Sequence, residues 1–328
     1  MKGHKHMRYK IADMHCDTVV CCVARSKGEI SLRKNNVQLD LERLKQAGSL
    51  VQCFALYIPS GEGGLERREG LSPYDYFQVA YGYYEREIEK NADLVRRARS
   101  YAEVLENERQ NKVSSVLTIE DAMLLDGKLE RVDEVFEKGV RLMTLTWNTE
   151  NTLGYPNYKD GPDTEHGLKE FGFAAMERMN QLGIIVDVSH LSDAGFYDVA
   201  RHCKKPFVAS HSNARAVYCA HRNLTDDMLR LLADKGGMTG LNFASYFLSD
   251  AKETTAEALL LHAKHIVNVA GEDAIGFGSD FDGIDCTLEF GGCEGYATIL
   301  SLFEKHFSAR QMEKLTCGNF LRILKECC

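Results

Sequence analysis

Six ionisable residues of metal-ligand type close short apolar runs in this chain: His15, Asp17, Glu120, His190, His211 and Asp280. Their donors are imidazole nitrogens and carboxylate oxygens without a thiolate. That set suits Zn²⁺ or a similar divalent ion in a hydrolytic two-metal centre. Side chains alternate along a strand, so in H-C-D His15 and Asp17 share one face and Cys16 takes the other. The first two can grip one cation. His190 and His211 end successive β-rich runs, V-D-V-S-H and F-V-A-S-H, and can hold a second. Glu120, in T-I-E-D-A, has two oxygens with which to bridge both ions, while Asp121 points away and reads as a helix-start residue. A lone histidine at a strand end is more often a satisfied hydrogen-bonding group than a ligand. The set carries the reading.

The elements that must present these groups alternate. Strand-like runs fall at Tyr9–Asp17, Leu50–Ile58, Val113–Glu120, Val140–Trp147, Ile184–His190, Pro206–His211, Met238–Phe243 and Ile275–Asp280. Helical patterns fall at Tyr74–Glu89, Leu129–Glu137, Glu170–Leu182, Asp193–His202, Asp226–Asp234, Thr254–Ala270, Glu294–Lys305 and Ala309–Lys325. This βα alternation predicts an α/β protein with a parallel sheet, and 328 residues for eight units fits a (β/α)8 TIM-type barrel. All strand ends of such a barrel surround one mouth, where catalytic groups sit. A doubly wound sheet is disfavoured, because no Gly-x-Gly-x-x-Gly follows the first strand. No linker appears. A single domain over 1–328 is expected, with a C-terminal helical extension from about residue 294. The Gly-rich, charged stretch Gly61–Gly70 reads as an exposed loop, and Asn148–Gly167 as a long loop shaping a pocket.

Composition narrows the partner. The chain has 44% hydrophobic and 27% charged residues, as an ordinary globular protein does. Its net charge of −8 and the lack of a basic stripe argue against nucleic acid. No apolar run approaches the ~20 residues of a membrane span, and no signal-type apolar region follows the basic start. A cytoplasmic location is therefore expected, with the 11 cysteines reduced and mostly packed as small core residues.

The ordered motifs H-x-D, E-D, V-D-V-S-H-L-S-D, A-S-H-S-N-A-R, H-R-N-L-T-D-D-M and G-F-G-S-D-F-D-G resemble those of the membrane (renal) dipeptidases and their bacterial relatives. The resemblance runs from roughly Ala12 to Phe320. That family is a binuclear zinc barrel of the amidohydrolase group. The resemblance implies that His15 and Asp17 bind one metal, Glu120 bridges, and His190 and His211 bind the other. It also implies that Arg222 of H-R-N binds the substrate's terminal carboxylate and Asp280 shuttles the proton. Both roles are physically sensible, since an arginine fork matches a carboxylate bidentately and glycines around Asp280 admit close approach. Asp282 is given a structural role. One departure is Trp147, which stands in L-T-W-N where mammalian members carry a histidine; it reads as an apolar pocket wall. Asn242 joins Trp147 and Arg222 as a candidate substrate contact.

The expected activity is hydrolysis of dipeptides, including those with a D-configured C-terminal residue, by a metal-bridging hydroxide and two Zn²⁺ or similar ions. Rival readings are an amidohydrolase acting on lactones, N-acyl amino acids or phosphoesters, or a catalytically silent metal-binding relative. A homodimer is the assembly to test. Of the remaining histidines, His262 and His265 are expected at the surface, His4 and His6 in a mobile start, and His166 and His202 outside the chemistry, while His221, beside Arg222, is a minor candidate for the pocket lining.

Overall fold

The computed structural model describes residues 8–26, 29–157 and 161–328. His4 and His6 lie outside the described residues. Eight parallel strands close on themselves: β1 Ile11–Asp13, β2 Ser49–Tyr57, β3 Val113–Glu120, β4 Val140–Thr144, β5 Ile185–Asp187, β6 Val208–Ala209, β7 Met238–Leu241 and β8 Ile275–Phe277. Each pairs with its neighbours in sequence order, and β8 returns to β1 through the register Asp13 to Phe277. The (β/α)8 barrel expected from the alternation is the fold. A short extra strand, Val95–Arg97, pairs with the start of β3.

Three helices coincide with their expected bounds: Glu170–Leu182, Asp193–His202 and Asp226–Asp234. Their starts are chemically marked. Ser192 and Thr225 accept from the backbone N–H of Gly195 and Met228, satisfying donors the first turn leaves free. The last expected helix runs on without a break to Cys327, with a π-helical segment, Lys314–Gly318, between Ala309–Glu313 and Asn319–Cys327.

Alternation along the strands sorts the core into two clusters. Ala12, Leu142, Ile185, Val208 and Met238 pack with Phe320, Ile323 and Leu324 of Asn319–Cys327. Their strand neighbours Ile11, Met143, Val186 and Ala209 belong to the larger cluster, which takes in residues of the surrounding helices such as Met176, Phe196 and Leu229. The final helix thus closes one end of the barrel and leaves the other for chemistry.

β3 keeps its expected bounds, but β1, β5, β6 and β8 stop earlier than expected, and two aspartates explain it. Asp13 ends β1 and accepts from the backbone N–H of His15 and of Ser279; Asp187 ends β5 and accepts from those of Ser189 and Ser210. These carboxylates take amide hydrogens that would otherwise extend the ladders. His15, Asp17, His190, His211 and Asp280 therefore stand in the turns just past the strand ends, and only Glu120 is a strand residue. His190 and Asp280 even adopt left-handed backbone, at φ 69° and 63°.

Two further expectations change. Gly61–Gly70 is not wholly loop: it contains the short helix Gly64–Arg67 and a buried Arg68 that donates to Pro59 O and Leu71 O. His262 is buried rather than at the surface, because its Nδ1 accepts from Ala214 N and its Nε2 meets Leu248 O. All eleven cysteines are free; most are buried, and Cys219 is exposed. Among the described residues no helix is long and apolar enough to cross a membrane.

Candidate metal centre and substrate pocket

The expected ligands converge at the open end of the barrel. His15 Nε2 lies 3.8 Å from Asp17 Oδ2, 3.6 Å from Glu120 Oε2 and 3.8 Å from Asp280 Oδ1. On the other side of Glu120, Oε1 is 2.9 Å from His190 Nε2 and 3.6 Å from His211 Nε2. One carboxylate thus faces His15 with one oxygen and His190 and His211 with the other, within a compact group in which the His15 and His211 ring centres lie 3.9 Å apart.

Hydrogen bonding fixes what the histidines present. Ser210 Oγ donates its one hydrogen to Asp187 Oδ2, so toward His211 Nδ1, 2.7 Å away, it accepts. His190 Nδ1 meets Asn148 Oδ1 at 2.8 Å, an acceptor. Both rings therefore carry hydrogen on Nδ1 and bare lone pairs on Nε2, and those two nitrogens are 3.0 Å apart. Neither ring nitrogen of His15 has a hydrogen-bond partner, although the ring is buried, and Asp17 Oδ1 is equally unpaired. Buried lone pairs aimed at one another are unfavourable unless a cation lies among them.

The acid–base balance points the same way. Burial, reinforced by Asp17, pushes Glu120 up to about 8. Burial and Asp17 raise Asp280 to about 7. Burial opposes charge on His15, but Glu120 and Asp17 outweigh it and hold its pKa well above the usual value. Burial, with His15 and Arg222 adding to it, drives His190 and His211 well below theirs. A crowd of buried carboxylates beside neutral imidazoles is a binding site for positive charge. The residues fit a divalent metal.

Asp13 and Asp187 organise the two halves alike. Asp13 binds Ser279 and the Tyr296 hydroxyl, pinning the turns that carry His15 and Asp280. Asp187 binds Ser189, Ser210 and Thr144, pinning those that carry His190 and His211. Gly283 packs against Asp17 and Asp280 so closely that a Cβ there would overlap both carboxylates.

A cavity of about 780 Å³ opens over the centre, lined by Asp17, Glu120, His190 and Asp280. Trp147 forms part of its wall, with its ring centre 4.9 Å from that of Tyr57. Arg222 lines it too. Its Nη1 donates to Ser212 Oγ at 3.3 Å, whereas buried Nε and Nη2 have no partner. Those two nitrogens share one edge of the guanidinium, the edge that matches a carboxylate fork. Arg215 brackets this side chain by donating to the carbonyls of His221 and Asn223, and is itself held by Asp193.

Asn242 is not placed as a substrate contact. It is fully buried, absent from the cavity wall, and its Nδ2 donates to Asp280 Oδ2 at 2.9 Å, so it orients that carboxylate. Asp282 accepts from Thr18 and from Gln38 N, the structural role expected of it, and Asp121 starts a turn by accepting from Met123 N. His221 reaches the cavity wall. Sequence reading missed Asp13, Asp187, Tyr57, Arg67, Tyr246 and Phe247. The first two were visible in A-D-M-H and V-D-V-S-H as acids two or three residues before a histidine.

The family model for membrane dipeptidases, peptidase family M19, matches residues 4–327. The chain belongs to that family. Among solved structures, a Rhodobacter sphaeroides metallopeptidase liganded with a phosphinate mimic of the dipeptide L-Ala-D-Ala is 28% identical. That likeness covers 98% of this chain and 99% of the other, with a TM-score of 0.89. A probable dipeptidase from Pseudomonas aeruginosa, 20% identical over 99% of this chain and 96% of its own, shares the fold at a TM-score of 0.84. A Klebsiella pneumoniae protein described as uncharacterized, from the pqqA 5′ region, is 34% identical over 73% of this chain and 91% of its own length. Membership of the dipeptidase family and the barrel fold agree with the resemblance read from the motifs.

Proposed function

We propose that this protein is a metal-dependent dipeptidase whose centre holds two divalent cations, zinc being the expected ion. The observation that carries the reading is Glu120, whose Oε2 faces His15 while its Oε1 faces His190 and His211. In this assignment His15 and Asp17 hold one ion, His190 and His211 the other, and Glu120 serves both. Bound there, the cations would acidify a water and stabilise the oxyanion that develops when it attacks a peptide carbonyl.

The chain's own groups do the rest. Asp280, oriented by Asn242, accepts the water's proton and returns it to the departing amine. Arg222 takes the substrate's C-terminal carboxylate on its unpaired Nε and Nη2 edge. Phe247 lies under that guanidinium, with the ring centre 5.5 Å from Cζ, and helps exclude water there. Trp147 and Tyr57, whose rings pack together, form another part of the wall. Acceptance of a D-configured C-terminal residue belongs to the proposal as well, supported by the dipeptide mimic held by the Rhodobacter relative.

The reading is tested by substrate length. A dipeptide should be cut well, and its C-terminal amide at least tenfold less well in kcat/KM, since an amide cannot accept the charged pair. Arg222→Ala should slow the dipeptide and leave the amide nearly unaffected. Equal slowing of both would remove Arg222 from carboxylate recognition, and failure to cut any dipeptide in the metal-loaded protein would overturn the activity.

A further inference from the structure

The cavity has a second arginine that the mechanism does not use. Arg67 ends the helix Gly64–Arg67 in the loop after β2, whereas Arg222 stands in the loop after β6. In a closed ring of eight strands these loops lie on opposite sides of the mouth, with the metal-ligand cluster between them. Arg67 is solvent-exposed; its backbone N–H bonds to Gly63 O, and among the described residues no ion pair or hydrogen bond engages its guanidinium. Beside it, the Tyr57 hydroxyl is buried and has no partner either. The acidic groups of the cavity are otherwise committed: Asp17, Glu120 and Asp280 gather at the cluster, and Asp282 is bound by Thr18 and Gln38. The Arg67 wall thus offers a cation and an O–H donor with no acceptor among the described residues.

We infer that Arg67 reads the side chain of the substrate's N-terminal residue and favours an acidic one, Asp or Glu. The inference rests on the dipeptidase reading. With the terminal carboxylate at Arg222 and the scissile bond at the cluster, the first residue extends toward the opposite wall, its ammonium drawn to the acidic groups Asp17, Glu120 and Asp280 and its side chain left to meet Arg67. A carboxylate there gains charge attraction from Arg67 and a donor from Tyr57; a lysine meets like charge. Because Arg67 is exposed, the gain is modest and screened by salt.

The test compares Glu-Ala, Gln-Ala, Lys-Ala and Ala-Ala, with Ala-Glu and Ala-Lys as the mirror pair, on metal-loaded wild type, Arg67→Gln and Arg67→Glu. Each kcat/KM is taken relative to Ala-Ala in the same protein. Wild type should prefer Glu-Ala over Lys-Ala by about fivefold or more at low salt, the preference shrinking as salt is added. Arg67→Gln should flatten it and Arg67→Glu should reverse it. Unchanged ratios across the three proteins overturn the inference while leaving the dipeptidase reading intact. If the Ala-Glu to Ala-Lys ratio moves instead, Arg67 reads the C-terminal residue and the assignment is wrong. If wild type cuts none of the panel, including Ala-Ala, the dipeptidase reading itself falls and this inference with it.

Discussion

Asp280 is the residue on which the proposed proton transfer turns. It lies 3.8 Å from His15, it is held by Asn242 on its second oxygen, and its backbone is in the left-handed region that few non-glycine residues occupy. Asp280→Asn keeps the shape and removes the basicity. Turnover should fall by about 10²–10⁴-fold while metal content stays near that of wild type. A fall below about tenfold would move the proton shuttle to another group, with Asp282 the first to test. At this scale the sequence was most legible, because ligands are recognised by type: histidine and carboxylate at the ends of β-rich runs. Arg67 was not legible. In G-E-G-G-L-E-R-R-E-G nothing distinguishes it from the buried staple Arg68 beside it, and only the turn of a short helix sends one to the cavity and the other inward.

At the scale of elements, the two halves of the centre are built by the same device, a strand-ending aspartate that ties two neighbouring turns together. Partners behind metal ligands typically affect affinity by 10–100-fold. Asp187→Ala should therefore weaken metal binding by about that factor on the His190 and His211 side, and Asp13→Ala should do so on the His15 and Asp17 side. Competition with a chelator of known affinity, giving two separate binding constants, checks this. If either variant weakened both sites equally, the halves would not be independently organised. The same aspartates account for the misplaced strand ends. The apolar runs were readable from β-branched patterns, but their C-terminal limits depend on hydrogen bonds to residues from distant strands, such as Asp13 with Ser279, and these have no local signal.

At the scale of the whole molecule, the barrel separates stability from chemistry: Asn319–Cys327 seals one end and the cluster occupies the other. His262 belongs to the stabilising part, and its environment makes the fold acid-sensitive. Burial lowers its pKa from 6.5 to about 4. The unfolded chain then binds a proton that the folded chain refuses. The contribution of His262 is complete above pH 6.5 and is lost as pH falls toward 4, by about 3 kcal/mol. His262→Gln should lose less stability than wild type between pH 7 and pH 4 in urea titrations. Parallel losses would place the acid sensitivity elsewhere. The central claim, however, is the pair of metal ions shared through Glu120, and titration of metal-stripped protein with Zn²⁺ while following dipeptide hydrolysis tests it most directly. Activity should rise until two equivalents per chain are bound and then level off; levelling at one equivalent, or no hydrolysis with two ions bound, would contradict it.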